Sequence, residues 1–414
     1  MNKKYVFLTD DIHPVGGEQL YVAGKASYLA RNGWDVRIIF PGQNTGASQI
    51  GCLQPYICGG VRGIWRAPFK WGRLLSRIPL RRMLQIVGEC SPESETIIES
   101  NTGELAQWGE LLASELKARH VCLICNEVFR GSGKTYDRVL DFFKFKLDRG
   151  ELYGIAEKSL HMLFGEYLKI SDGAAPSFFA APMAAVQEVD DSRLAEIDDA
   201  AEWTICHIGR AEKDYVERMI YDFSKFCSRH EGTSIQIIFV GDISCRQKIV
   251  DGVLSQNNNV KVVELGNMVP IPRQLFSMVD VVVASSGCAI AAVAADSPTI
   301  IADAGDGMSN GVFDVDTHST LFREEGAPQE GFDDTLERVL VGGIRSSRKC
   351  ISSMSVEGEA EYRSQLNRVK SLQSRIGEYE TGVLFRPRGT FRDGVGSLIN
   401  VLRIIFNIHG RFCA

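Results

Sequence analysis

The sequence predicts an α/β protein made of two doubly wound, Rossmann-like domains, each with a parallel sheet. Three observations carry that reading. Strand-like and helix-like segments alternate along the chain, the alternation restarts once near the middle, and glycine-bearing loops follow strands where such sheets hold ligands. At 414 residues the chain exceeds one ordinary core and suits two domains of about 150–200 residues each.

The elements follow from local pattern. Tyr5 to Leu8 is apolar, and Gly16-Gly17 breaks the run. Glu18 to Arg31 carries Leu20, Ala23, Ala26, Ser27 and Ala30 at helical spacing, and Asn32-Gly33 stops the helix before the β-branched stretch Val36 to Phe40. That is a βαβ unit, so its strands run parallel. Gly42 to Gly63 and the basic, aromatic segment Trp65 to Arg82 show no period and receive no assignment. Ser94 to Ser100 predicts a strand, Glu104 to Lys117 a helix and Val121 to Cys125 a strand, followed by helices over Asp137 to Leu147 and Ile155 to Leu168. Ser171 to Pro182 predicts a loop, with a domain boundary near residues 185–200. The series then restarts. Trp203 to Ile208, Ile235 to Val240, Val260 to Leu265, Val279 to Ala284 and Thr299 to Ala302 predict strands, while Tyr215 to Arg229 and Ala289 to Ala295 predict helices. No fixed period marks a solenoid.

Composition narrows the function classes. Apolar residues at 44% and charged residues at 24% describe a folded globular protein. A formal charge of −6 disfavours a partner held by many phosphates, so no nucleic acid is expected. Eleven scattered cysteines argue against a disulfide framework and for a reducing, cytoplasmic setting. Cys122 and Cys125 form a C-x-x-C inside an apolar run, where buried strand cysteines are the commoner reading than a redox or metal pair. The N-terminus has no signal-peptide pattern, and no run reaches the roughly 18 apolar residues of a spanning helix. No metal site and no cofactor are expected.

Three loops could hold a ligand. His13-Pro14-Val15-Gly16-Gly17-Glu18 places paired glycines ahead of a helix, whose first N–H groups suit an anion. The same pair also suits a tight turn with no ligand. Ile208-Gly209-Arg210-Ala211-Glu212-Lys213 sets two cations at a strand end, where Arg210 and Lys213 could clamp a diphosphate or simply face solvent. Ser285-Ser286-Gly287-Cys288 offers hydroxyls and backbone N–H groups to phosphate oxygens, or merely caps a helix.

In this order the loops resemble the GT-B glycosyltransferases of the large retaining group called family 4. Gly16-Gly17-Glu18 with Leu29-Ala30-Arg31-Asn32-Gly33-Trp34-Asp35-Val36 is similar to that group's glycine loop, first helix and second strand, with Trp34 in place of the usual His. His207-Ile208-Gly209-Arg210 and Lys213 resemble its G-R…K clamp at a shorter spacing, and Phe239-Val240-Gly241-Asp242 resembles the next strand and turn. Val263 to Gly266 and Leu275 to Val281 look like its nucleobase-side strand and the helix end that follows. The resemblance implies an acceptor-side domain over residues 1–190, a nucleotide-sugar-side domain over 191–375 with an interdomain cleft, and a C-terminal helix over 376–414 crossing back onto the first domain. It implies catalytic Arg210 and Lys213, and donor-binding Gly16, Gly17, Gly209, Gly241, Ser285, Ser286 and Gly287. On the acceptor side it implies Asn101, Asn126 and Glu127. A helix-capping role for Asn101 is an equal alternative.

One departure is large. The two glutamates of that group are missing from Ser285 to Pro298. Ala291 or Ala292 stands at the second position, and Asp296 replaces a glycine. Ribose recognition must then come from elsewhere, with Asp303 and Asp306 as nearby candidates. The resemblance implies that the donor's own phosphate assists the retaining transfer, so that a missing protein base does not rule it out.

The resemblance therefore implies a hexosyltransferase moving sugar from a nucleoside-diphosphate sugar, as co-substrate, to a saccharide or lipid-linked acceptor in polysaccharide or glycan synthesis. The competing reading is an inactive GT-B-like binding or scaffolding subunit. Val395 to Phe412 is amphipathic and basic. It suits packing on the first domain or peripheral contact with the inner face of a membrane, to which Trp65 to Arg82 could add.

Overall fold

The computed structural model describes residues 3–10, 12, 16–42, 48, 50–90, 94–125, 134–155, 159–168, 170, 186–344 and 351–372. Asn126, Glu127, His13 to Val15, the loop expected over Ser171 to Pro182, and the C-terminal segment 376–414 lie outside the described residues. The chain divides into two compact units, most of the first drawn from residues 25–178 and most of the second from 179–363.

The first unit holds β1 (Lys3–Leu8), α1 (Gly17–Arg31, of which Lys25 onward belongs here), β2 (Asp35–Pro41), β3 (Ile57–Val61), α2 (Gly72–Leu75), α3 (Arg77–Val87), β4 (Glu95–Ser100), α4 (Gly103–Leu116), β5 (Arg119–Ile124), α5 (Lys134–Asp148), β6 (Leu152–Gly154) and α6 (Ser159–Leu168). Its six strands lie in the order β3-β2-β1-β4-β5-β6, every pair parallel. Three elements differ from the sequence expectation. β3 forms although Gly59 and Gly60 dilute its pattern, because its edge pairs with Ile38 to Pro41 of β2. α3 forms across Pro79, which falls in the first turn where its missing N–H has no partner to lose. Ahead of the helix expected from Ile155, Leu152 to Gly154 complete the sheet beside Cys122 to Ile124, and α6 is described over Ser159–Leu168.

The second unit holds β7 (Val186–Gln187), β8 (Trp203–Ile208), α7 (Asp214–Arg229), β9 (Ile235–Val240), α8 (Gln247–Val253), β10 (Val260–Gly266), β11 (Ile271–Pro272), α9 (Arg273–Ser277), β12 (Val281–Ala284), α10 (Ser286–Ala294), β13 (Thr299–Ala302), β14 (Ser309–Val312), α11 (Phe332–Leu336) and α12 (Ile351–Ser371, of which Ser364 onward belongs to the first unit). The order is β10-β9-β8-β12-β13-β14, with only β14 antiparallel, and β7 pairs β11 apart from it. Because side chains alternate along a strand, each face of this sheet builds its own core. Ile205, Ile237, Phe239, Val281 and Val283 pack with Val216, Met219, Ile220 and Phe223 of α7. Cys206, Ile238, Val240, Val282 and Ala284 pack with Ala289, Ala292 and Val293 of α10. Each fully buried large aliphatic contributes roughly 1.5–3 kcal/mol.

The first unit also buries charge. Lys25 Nζ lies 2.6 Å from Glu99 Oε2, which also accepts from the Tyr5 hydroxyl at 2.5 Å, all without solvent exposure. Burial, reinforced by Glu99, raises the Tyr5 phenol well above its ordinary range. Across β4, His120 Nδ1 donates to Glu110 Oε2 at 3.0 Å and Nε2 accepts from the Ser100 hydroxyl at 3.0 Å. Ser-His-Glu in this order resembles a nucleophilic triad, yet Ser100 is fully buried, and Glu110 is shared with Lys146 and Arg149, which also reach Glu151. The network is a structural lock inside the sheet. Cys122, buried beside it, has its thiol pushed up by burial, and Cys125 is half-buried and forms no disulfide. This is the structural reading of the C-x-x-C.

Gly241 ends β9 at φ +134°, and a Cβ there would strike the Gly209 carbonyl oxygen at the end of β8. Gly241→Ala is therefore expected to lose about 3 kcal/mol of stability, from strain plus overpacking. Denaturant unfolding checks this, and a loss below about 1 kcal/mol would show that the two strand ends can separate.

Candidate functional site

Ligands of doubly wound sheets sit beyond the carboxyl ends of the strands, where the strand order reverses. In the second unit the reversal falls between β8 and β12, whose register pairs Ile208 with Ala284. The residues leaving that edge side by side are Gly209 and Ser285. Val240 pairs with Ile208 on the other flank, so Gly241 stands next to Gly209, and its N–H donates to the Gly266 carbonyl at 2.9 Å. The sheet therefore gathers Gly209, Gly241 and Ser285 from three sequence regions.

Arg210 is exposed, and its guanidinium has no hydrogen bond or ion pair among the described residues. Lys213 is half-buried at the N-cap position of the 16-residue α7, with an extended backbone and no side-chain cap. Ser285 is 4% exposed and sits at the N-cap of α10 without capping it, which overturns the capping alternative. Its Oγ is buried without a partner. Ser286 opens the helix at φ +58°, a left-handed conformation that costs a non-glycine residue about 1–2 kcal/mol. Its N–H is held by the Thr320 carbonyl. At Gly287 a Cβ would meet nothing within 4 Å, so the first turn of α10 faces open space.

His207 received no role from the sequence. It is 1% exposed on β8, and Nδ1 donates to the Val283 carbonyl across the sheet at 3.0 Å. That bond fixes the tautomer and leaves Nε2 as an acceptor, which is buried and unpartnered. The ring meets Tyr215 edge-on, and a Cβ on Gly209 would come within 3.3 Å of both His207 Cε1 and the Tyr215 hydroxyl oxygen. Burial, with the nearby charge of Lys213 in the same direction, lowers the His207 pKa to about 4. A lone His two residues before Gly-Arg at a strand end is the signal that could have marked it.

The loop acids have other tasks. Asp303 is buried and accepts from the backbone N–H groups of Gly305, Asp306 and Arg323 and from Asn310 Nδ2. Asp306 pairs with Arg323 and accepts from Gln329. Both brace the loop and are unsuited to ribose recognition. Ala291 and Ala292 are fully buried, and Ala292 packs in the apolar core beneath the sheet. A carboxylate at either position would be desolvated.

In the first unit the order reverses between β1 and β4, and Leu8 pairs with Ser100. Asn101 emerges at that switch point with no exposure, its N–H donating to the Leu8 carbonyl at 3.0 Å. Neither its amide oxygen nor its amide nitrogen has a partner. Thr102, not Asn101, caps α4, accepting from the Leu105 N–H at 3.4 Å. The capping alternative for Asn101 is thereby corrected. Gly17 opens α1, and a Cβ there would meet nothing within 4 Å, while one on Gly16 would meet only the flexible end of Gln19.

No protein-family model matches the chain, and no curated protein sequence does. Solved structures match its fold. Anabaena Alr3699/HepE, crystallised with UDP and glucose, aligns at TM-score 0.53 and 16% identity over 91% of this chain and 98% of its own. A glycosyltransferase from Rickettsia africae aligns at TM-score 0.53 and 13% identity over 92% and 96%. A Listeria monocytogenes protein bearing the name UDP-N-acetylglucosamine 2-epimerase aligns at TM-score 0.52 and 10% identity over 90% and 96%. With its two Rossmann-like sheets, the chain has the GT-B fold.

Two expectations follow. A buried polar group without a partner costs stability, so Asn101→Leu and Ser285→Ala are expected to unfold no more easily than the parent, or later by about 1 kcal/mol. Denaturant midpoints check this, and a loss of 2 kcal/mol or more in either would mark it as a structural residue. For His207 the folded pKa lies below the unfolded one. Its contribution is therefore complete above pH 6.5 and is lost as pH falls toward 4. His120, also lowered to about 4 chiefly by burial, acts in the same window. Midpoints measured from pH 7.5 to 4 should fall, and His207→Gln should flatten the slope by about half of the two-histidine contribution.

Proposed function

We propose that this protein is a glycosyltransferase that moves a hexose from a nucleoside-diphosphate sugar to a saccharide or lipid-linked acceptor. One observation carries the reading. At the switch point of the second sheet, an unpaired exposed guanidinium, an open helix N-terminus and two buried acceptor atoms without partners surround the ends of β8 and β12. Arg210 would neutralise the leaving diphosphate by its planar fork and Lys213 would add a second positive charge. The N–H of Gly287 lies at the positive end of α10, and the Ser285 hydroxyl can donate to a phosphate oxygen. Gly209 and Gly241 keep side chains out of the space beside them. The Gly16-Gly17 start of α1 leaves N–H groups open to an anionic part of the donor. Asn101, with both amide functions uncommitted, would take an acceptor hydroxyl as donor and acceptor. A retaining course, assisted by the donor's own phosphate, requires no protein base.

Ala291 and Ala292 favour a second reading, a protein that binds the nucleotide and does not transfer sugar. The two readings separate in two measurements. UDP or GDP at about one hundred times its Kd is expected to raise the melting midpoint by roughly 5 °C or more, and Arg210→Ala to abolish the shift. No shift with either nucleotide would overturn both readings. A shift without nucleotide release from any of a panel of UDP- and GDP-sugars, with or without oligosaccharide and lipid-linked acceptors, would leave the binding protein.

A further inference from the structure

From Val36 to Gly88 the sequence contains eight basic residues and no acidic one, in a chain of net charge −6. The rest of the chain accordingly carries −14. The structure shows what this stretch presents. Beyond β3, the chain runs through a loop at Gly63 to Arg66 into α2 and α3. α3 buries Pro79, Leu80, Met83, Ile86 and Val87 and turns its other side outward. On the outer side, Leu74 is 80% exposed and Ile78, one turn later, is 66% exposed, while Trp65 in the loop is 55% exposed. Lys70, Arg77, Arg81 and Arg82 are exposed among them, and none forms an ion pair among the described residues.

The loop bearing Trp65 is held against this helical segment. The Trp71 indole N–H, just before α2, donates to the Gly63 carbonyl at 3.0 Å. Gly63 sits at φ +89°, where a Cβ would strike the Trp71 ring. The Trp108 indole N–H of α4 donates to the Arg66 carbonyl at 2.8 Å on the other side of Trp65. Arg66 stacks its guanidinium 4.2 Å from the centroid of the Trp65 ring. An indole, a leucine and an isoleucine are thus presented in water by a braced scaffold, within a field of uncompensated cations.

We propose that this face of the first unit, Trp65, Leu74 and Ile78 ringed by Lys70, Arg77, Arg81 and Arg82, docks on an anionic phospholipid surface. The chemistry is specific on both counts. Exposed Trp, Leu and Ile insert favourably at the boundary of headgroups and acyl chains, and juxtaposed Lys and Arg are drawn to anionic headgroups. A nucleic acid would use the same cations but would leave Leu74 and Ile78 without a partner. Among the described residues no helix is long and apolar enough to cross a membrane, so the contact is peripheral. The proposal does not depend on the sugar-transfer reading.

The full chain should co-sediment with vesicles of phosphatidylcholine and 30% phosphatidylglycerol, bind pure phosphatidylcholine at least about tenfold more weakly, and release in 0.5 M NaCl. Brominated acyl chains should quench part of the tryptophan fluorescence, and Trp65→Phe should remove that part. Leu74→Glu with Ile78→Glu, and separately Arg77→Gln with Arg81→Gln and Arg82→Gln, should each weaken vesicle binding by about tenfold or more. Both variants alter exposed side chains, and an unchanged melting midpoint confirms that they fold. No binding to the anionic vesicles, binding unaffected by either variant, or tighter binding to single-stranded RNA or duplex DNA would each overturn the proposal.

Discussion

The central constraint is that the first strand of each sheet pairs in parallel on both sides. β1 is flanked by β2 and β4, and β8 by β9 and β12. Parallel neighbours demand crossover connections, and connections leaving a strand pair in opposite directions cannot cover the edge between them. The edge at Gly209 and Ser285, and the edge at Asn101, are the openings this leaves. What fills them is decided by the residues that end the strands.

Both openings hold polar atoms that the fold does not satisfy. Other buried polar groups are shared among several partners. Glu110 serves His120 and Lys146, and Asp303 accepts four hydrogen bonds within its own loop. The bare amide of Asn101, the bare hydroxyl of Ser285 and the bare Nε2 of His207 are set apart by their place at the ends of the switch-point strands, and an unmet buried polar group is a standing cost. The strained Ser286 at the start of α10 adds to the same region.

Charge is separated in the same economical way. Buried acids and bases are matched within the first unit, as Lys25 with Glu99 and Lys146 with Glu110 and Glu151. The cations around α3 are left unmatched and exposed beside Trp65, Leu74 and Ile78. Matching in the core and imbalance on one surface are different tasks, and net charge alone reports neither.

The alternation of apolar runs and helical periods was enough to read both parallel sheets, because period and length report burial directly. It was not enough for β3, whose glycines dilute the apolar signal, or for β6, which is three residues long and exists only because β5 is beside it. Gly209, Gly241, Ser285 and Asn101 were legible as strand-end residues, since glycine and small polar residues after an apolar run mark a loop. Their roles were not. That Thr102 caps α4 and leaves Asn101 bare, that Ala291 and Ala292 lie inside, and that His207 turns Nε2 toward Gly209 depend on side-chain direction and cross-strand register. Sequence by itself determined which segments are strands and helices and where the chain must turn, because those follow from local periodicity. Only the tertiary structure decided which strand ends meet and which polar atoms stay unpartnered, because those depend on contacts between residues tens of positions apart.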